Sequence, residues 1–213
     1  MEQFNFDIVA DDFNNHLTGQ LPWYNSFMDG MLFEIASYFV RKNSIVYDLG
    51  ASTGNVQKRI NSIILERSAK IIPIEQNKKM LDNYWEDLGV FVKNQDFTSM
   101  KYEPYSLATS ILSLSFVHPH IRKNFIDNMK SLCEVGGGFL IVEKFENRQG
   151  FLGTLFNRIS WANKIASGQP IEMVVNKELG LSGVQFPLCD SEVGGFDLIY
   201  AYGDFRAYLY RKE

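Results

Sequence analysis

One stretch constrains this chain more than any other: Ser44-Ile45-Val46-Tyr47-Asp48-Leu49-Gly50-Ala51-Ser52-Thr53-Gly54-Asn55. An apolar run carrying a single acid breaks into a Gly-x-x-x-Gly turn. A second apolar run, 70–74, follows one helix-length later and ends on Glu75. Short apolar runs bounded in this way read as buried strands. Strand, turn, helix and strand at this spacing form a βαβ unit, whose strands must run parallel. The first turn lets a ligand approach the backbone at a helix N-terminus. An acid ending the second strand can accept from two ribose hydroxyls.

Charge decides which nucleoside ligand fits. A dinucleotide asks for Gly-x-Gly-x-x-Gly facing a pyrophosphate. Here Asp48 stands two residues before Gly50 and would repel one. It suits a ligand with a cationic amino group and a sulfonium, which is S-adenosylmethionine (SAM). The plainer reading, that Gly50 and Gly54 only shape a tight turn, is weighed down by the strand context and by Glu75.

The remaining pattern extends the unit. Residues 24–41 predict a helix with Met28, Met31, Leu32, Ile35 and Phe39 on one face. Strands are expected at 45–49, 69–74, 90–93, 106–113 and 139–143, and helices at 55–67, 78–88 and 121–134. Gly136-Gly137-Gly138 reads as the stop of the last of these helices. Residues 196–202 and 205–210 alternate and turn at Gly203-Asp204, a hairpin. Together these predict a Rossmann-like α/β fold with a mostly parallel seven-stranded sheet whose antiparallel last strand inserts beside the fifth. The expectation is a single domain over 1–213, with an aromatic helical lid at 1–43 and a helical insertion at 146–190. Asp48 to Gly54, Glu75, Asp96 and Ser113 to Phe116 all fall at carboxyl ends of strands, where such sheets bind ligands.

Bulk composition bounds the rest. The chain has 213 residues and a net charge of −4, which offers no global attraction to nucleic acid or anionic membranes. Cys133 and Cys189 are far apart, without ligand spacing, and read as free thiols. No run is apolar enough to span a bilayer, and the first residues lack signal-peptide character, so a cytoplasmic location is expected.

The whole arrangement resembles the class I SAM-dependent methyltransferases. Pro22-x-Tyr24, Val46-Tyr47-Asp48-Leu49-Gly50-x-Ser52-x-Gly54, Lys70-Ile71-Ile72-x-Ile74, Gly137-Gly138 with Glu143-Lys144-Phe145, and Gly195-Phe196 are most similar to the carboxy-SAM-dependent tRNA wobble-uridine carboxymethyltransferases. The resemblance implies cofactor contacts at Tyr24, Gly50, Ala51, Ser52, Glu75, Gln76, Asp96 and Phe97. A further contact is implied at Ser113, where that family has asparagine. That family reads the extra carboxylate with an arginine after a lysine. Here Lys177 is followed by Glu178, and a carboxylate facing a carboxylate is repulsive. Unless Lys164, Lys177 or Arg158 substitutes, ordinary SAM is expected over carboxy-SAM. The expected reaction is then methyl transfer to an unidentified acceptor, with carboxymethyl transfer to tRNA, or SAM binding without catalysis, as alternatives.

Other residues invite chemistry. His118 and Glu143 are candidate general bases, although His118-Pro119-His120 reads first as a plain helix-entry loop, Glu143 reads equally as a structural partner of Lys144 or Arg148, and no metal site is expected. The apolar residues Phe151, Leu152, Leu155, Phe156, Ile159 and Trp161 predict either a homodimer surface or a cap over the acceptor.

Overall fold

The computed structural model describes residues 5–85 and 91–213. Two short 3-10 turns, Phe6–Ile8 and Ala10–Asp12, lead into helix α1 (Phe13–Gln20). Helix α2 (Tyr24–Ser26) passes through a π turn at Phe27–Met31 into α3 (Leu32–Phe39). The π turn inserts one residue into the ladder. Met28, Leu32, Ile35 and Phe39 are buried as expected, whereas Met31 rotates to a half-buried position.

Seven strands follow: β1 (Ile45–Leu49), β2 (Lys70–Glu75), β3 (Lys93–Asn94), β4 (Tyr105–Ile111), β5 (Cys133–Lys144), β6 (Asp197–Tyr202) and β7 (Phe205–Arg211). Their order is β3-β2-β1-β4-β5-β7-β6. The β1–β2, β1–β4, β2–β3 and β4–β5 pairs are parallel, and β7 runs antiparallel between β5 and β6. The expected inserted last strand is present. Strand order reverses beside β1 and β4, which opens a crevice at their carboxyl ends. Helices α4 (Asn55–Glu66), α5 (Lys78–Asp82), α6 (Pro119–Leu132), α7 (Gly150–Ala166) and α8 (Ile171–Gly180) complete the fold. One sheet face is covered by α3 and α4, with Val56, Ile60, Ile63 and Ile64 inward. The other is covered by α6 through Phe125, Ile126 and Met129.

Three expectations need revision. The helix expected at 78–88 ends at Asp82, and its residues 86–88 lie outside the described ones, as does Val90 of the third strand. The third strand, expected at 90–93, spans Lys93–Asn94, while residues 146–190 hold α7 and α8. Most instructive is the glycine run. It does not stop α6, which ends at Leu132, but lies inside β5, where the register against β4 shifts between Tyr105 and Leu107. A Cβ on Gly137 would come within 2.9 Å of the Ser106 carbonyl oxygen, and one on Gly138 within 2.9 Å of the Phe39 ring. The glycines are there for close approach of β4 and α3.

Arg122 of α6 is 1% exposed and ties the loops at this end of the sheet together. Its Nε and Nη2 donate to the Glu192 carboxylate at 2.6 and 2.8 Å, and Nη1 donates to the Phe186 carbonyl at 2.7 Å. Longer bonds reach the carbonyls of Leu114, Val117 and Pro187, each at 3.3 Å. The turn after β4 is thereby fastened to the segment 186–192.

Candidate functional site

A pocket opens at the carboxyl ends of β1, β2 and β4, walled by Tyr24, Asp48, Gly50, Ala51, Ser52, Glu75, Gln76, Phe97 and Ser113. Apart from Tyr24 of α2, these residues come from separate strand ends, and the topology brings them to one crevice. Gly50 has φ +77°, and a Cβ there would lie 2.5 Å from the Ser113 Cβ. Only glycine fits. Ser52 (φ 51°) and Leu112 (φ 57°) also line the pocket in the left-handed region, the kind of strain that collects at functional sites. The turn's amides are spoken for. Gly50 and Ala51 both donate to the Ile74 carbonyl at 2.9 Å, and Ser52 donates to Glu75 Oε2 at 2.9 Å. What the turn offers a ligand is close approach rather than open N–H donors.

The acids set the electrostatics. Asp48 is 1% exposed; Thr109 donates to its Oδ1 at 3.0 Å, while Oδ2 has no partner among the described residues. Burial, with Glu75 adding repulsion, pushes its carboxyl up to about 7. Glu75 accepts from Ser52 and from the Asn77 amide at 2.7 Å, one bond per oxygen. Each oxygen keeps a further lone pair for a hydroxyl. Burial also raises Glu75, against those backbone bonds. Two acids that disfavour each other's charge in one apolar pocket call for a cation. The donor set therefore fits a nucleoside carrying a cationic amino-acid tail, with the Asp48 Oδ2 left open to a further partner.

Four expected residues are not on these walls. Gly54 (φ +86°) caps α4 and packs on the Tyr84 ring, 3.0 Å from where its Cβ would stand. Asp96 is not on the wall, and its Oδ1 accepts from the Thr98 amide and hydroxyl, both at 2.8 Å. His118 is exposed and N-caps α6 behind Pro119, the plain helix entry. Glu143 is fully buried beside the Ser113–Ser115 turn, sealed from the pocket. Burial pushes its carboxyl up to about 7, against the polar groups of that turn. Its native pKa exceeds the ordinary value of 4.5, so the folded state binds the extra proton as pH rises through this window. Its contribution to stability is present below about pH 4.5 and is lost as pH climbs through about 7. Melting curves between about pH 5 and 8 should thus show a smaller loss for Glu143→Gln than for the wild type.

A second compartment adjoins the first and was not foreseen. Phe6, Phe13, Leu17, Leu112 and Phe116 line both. Its far walls carry His16, Gln20, Lys144, Lys164, Lys177 and Glu178. Glu178 does not face inward unmatched, because Lys164 Nζ donates to its Oε1 at 2.7 Å. Burial works to raise the Glu178 carboxyl, but the Lys164 bond and charge hold it below the usual range. Sequence periodicity could not have found this compartment, since its polar groups come from α1, β5, α7 and α8. The lysine-rich helices were the available signal.

No family model matches the chain. A carboxy-S-adenosyl-L-methionine synthase of Staphylococcus epidermidis is 30% identical over 188 residues, covering 87% of this chain and 82% of the relative. The chain belongs to the carboxy-S-adenosyl-L-methionine synthase family. A synthase of that name from Shewanella woodyi is 26% identical over 195 residues, covering 88% of this chain and 80% of its own. The resemblance to SAM methyltransferases is thus borne out, but the relatives carry the synthase name, not that of the wobble-uridine transferase. Among solved structures, TehB from Haemophilus influenzae matches with a TM-score of 0.58 at 14% identity, over 86% of this chain and 62% of its own. Human N-acetylserotonin methyltransferase, solved with SAM, gives 0.55 at 15% identity, over 91% and 53%. At those identities the likeness is one of fold, and the fold is that of the SAM-dependent methyltransferases.

Proposed function

We propose that this enzyme binds SAM in the first compartment and carboxylates its sulfonium methyl with a small co-substrate held in the second, forming carboxy-SAM as its relatives' name states. The observation that carries the reading is the shared wall. Phe6, Phe13, Leu17, Leu112 and Phe116 bound both compartments, so ligands in the two would meet edge to edge. SAM, once bound, would supply a methyl group made acidic by the adjacent sulfonium: its C–H bond and the co-substrate's bond to the carboxylate break, the C–C bond of carboxy-SAM forms, and the proton leaves with the decarboxylated co-substrate. The chain's own residues do the rest. Asp48 takes the cationic tail and Glu75 the ribose. Phe6, Phe13 and Leu17, from the arm before α2, keep water from the reacting carbon.

Native mass spectrometry of the purified protein tests this, followed by incubation with SAM and cell extract. A SAM pool heavier by one carboxylate group supports synthesis. Conversion to the homocysteine product alone supports the second reading, methyl transfer to a small acceptor. Neither product would leave a SAM-binding protein without catalysis. The free thiols Cys133 and Cys189 accord with a reducing, cytoplasmic setting. Among the described residues no helix is long and apolar enough to cross a membrane.

Self-association belongs to the same reading. Phe151 is 72% exposed, and Leu155, Ile159 and Trp161 of α7 and Ile171 and Met173 of α8 are exposed as well. Phe156 instead packs near Gly203. An apolar stripe of this kind marks a partner surface. Sedimentation equilibrium should find a dimer at micromolar concentration. A monomer there would leave the stripe as a lid.

A further inference from the structure

We propose that Arg59 of α4 is a positioning residue for the cofactor's amino-acid tail, supplying through Tyr24 and Asn55 the positive charge that the tail's carboxylate meets. This rests on the reading that the first compartment binds SAM. That tail is a zwitterion, with an ammonium and a carboxylate on one carbon. The first compartment is charged with one sign. Asp48 and Glu75 stand on its walls, whereas among the described residues lining it none is a lysine, an arginine or a histidine. A carboxylate entering beside two acids is repelled unless a cation stands close behind the wall. A polar groove between α1, α2 and α4 supplies one. It is lined in part by Asn14, Tyr24, Asn25, Asn55, Lys58 and Arg59, and Tyr24 and Asn55 line the first compartment as well.

Arg59 is held against that shared wall. Its guanidinium carbon lies 6.0 Å from the centre of the Tyr24 ring, within reach of a cation–π attraction. Nη1 donates to the Asn55 carbonyl and to Asn55 Oδ1, both at 3.3 Å, and Nη2 donates to Asn25 Oδ1 at 3.2 Å. Nε donates to Asp29 Oδ1 at 2.8 Å, but the Asp29 side chain is 66% exposed, and water screens its charge. The Arg59 side chain is 17% exposed, so its field toward the buried wall is less damped. Tyr24 registers that field. Burial raises the Tyr24 hydroxyl above its ordinary value, with Arg59 pulling it down and Asp48 pushing it up. Two fields of opposite sign thus meet at one wall residue. A zwitterion needs that arrangement, its ammonium toward Asp48 and its carboxylate toward Arg59.

Calorimetric titration with S-adenosylhomocysteine and with its decarboxylated amine isolates the carboxylate, since the two differ in nothing else. Asp48 and Glu75 by themselves favour the amine, the more cationic of the pair. Wild type should instead bind S-adenosylhomocysteine about tenfold or more tightly than the amine, the worth of one charge-assisted bond. Arg59→Met should abolish or reverse that preference, weakening S-adenosylhomocysteine while the amine binds as before. Arg59→Lys keeps the charge and should retain most of the preference. A residue that merely braced Tyr24 and Asn55 would affect both ligands alike, so equal weakening of the two in Arg59→Met overturns the proposal. A preference that survives intact in Arg59→Met overturns it as well. Wild type that binds both ligands without preference overturns it and leaves the SAM pocket standing. Wild type that binds neither ligand overturns the proposed function with it.

Discussion

Arg122→Met should cost about 3–5 kcal/mol of folding stability, the largest effect expected of any single change here. The arginine touches neither compartment, and its weight comes from what it leaves behind. Removing the guanidinium strands the Glu192 carboxylate, whose side chain is 9% exposed, and it frees the carbonyls of Leu114, Val117, Phe186 and Pro187 at once. Burial works to raise Glu192, yet the Arg122 bond holds its carboxyl below the usual range. The double variant Arg122→Met with Glu192→Gln should recover much of the loss, because no uncompensated charge stays buried. Denaturant titration of the three variants reads both numbers. If the single variant loses less than about 1 kcal/mol, water is reaching the pair and the loops are not fastened as described.

Glu75→Ala should weaken binding of SAM and S-adenosylhomocysteine about a hundredfold or more. Each charge-assisted bond to a ribose hydroxyl is worth on the order of 1.5–3 kcal/mol, and two are lost. The loss compounds, because the Ser52 and Asn77 amides also lose their acceptor and the turn that shapes the pocket loosens. Glu75→Gln keeps an acceptor oxygen and should fall between alanine and wild type. Calorimetry with both ligands measures it. An unchanged affinity would place the ribose elsewhere and remove the chief support for the nucleoside pocket.

What could be read in advance followed from periodicity and from residues whose chemistry is local. Asp48, Gly50 and Glu75 announce themselves because a strand, a turn and an acid suffice to define them, and parallel topology then forces them together. The inserted strand β7 was legible from the Gly203-Asp204 turn and the alternation around it. Asp96 and Gly54 misled because residue type does not disclose orientation. One carboxylate bonds its own turn, and one glycine serves a tyrosine. The glycine run misled for a related reason, since glycine marks helix ends and tight strand contacts alike. The lysine compartment was invisible as a site because its members lie far apart in the chain, His16 and Lys177 by 161 positions. Glu178 taken alone reads as a repulsive acid, and only its partner Lys164 from another helix reverses that meaning.

The place of β7 has a consequence for biosynthesis. Strand β7 sits between β5 and β6, so the long edge of β5 stays open until residues 205–211 have left the ribosome. By then the five strands before the hairpin have all been made, and domains begin to condense as they emerge. That nascent sheet presents Phe139, Leu140, Ile141 and Val142 along an unpaired rim, the kind of template that captures other chains. Premature termination anywhere in the hairpin should therefore yield insoluble polypeptide rather than a shortened, working enzyme. Until β7 emerges, that rim is the surface a strand-binding chaperone would cover.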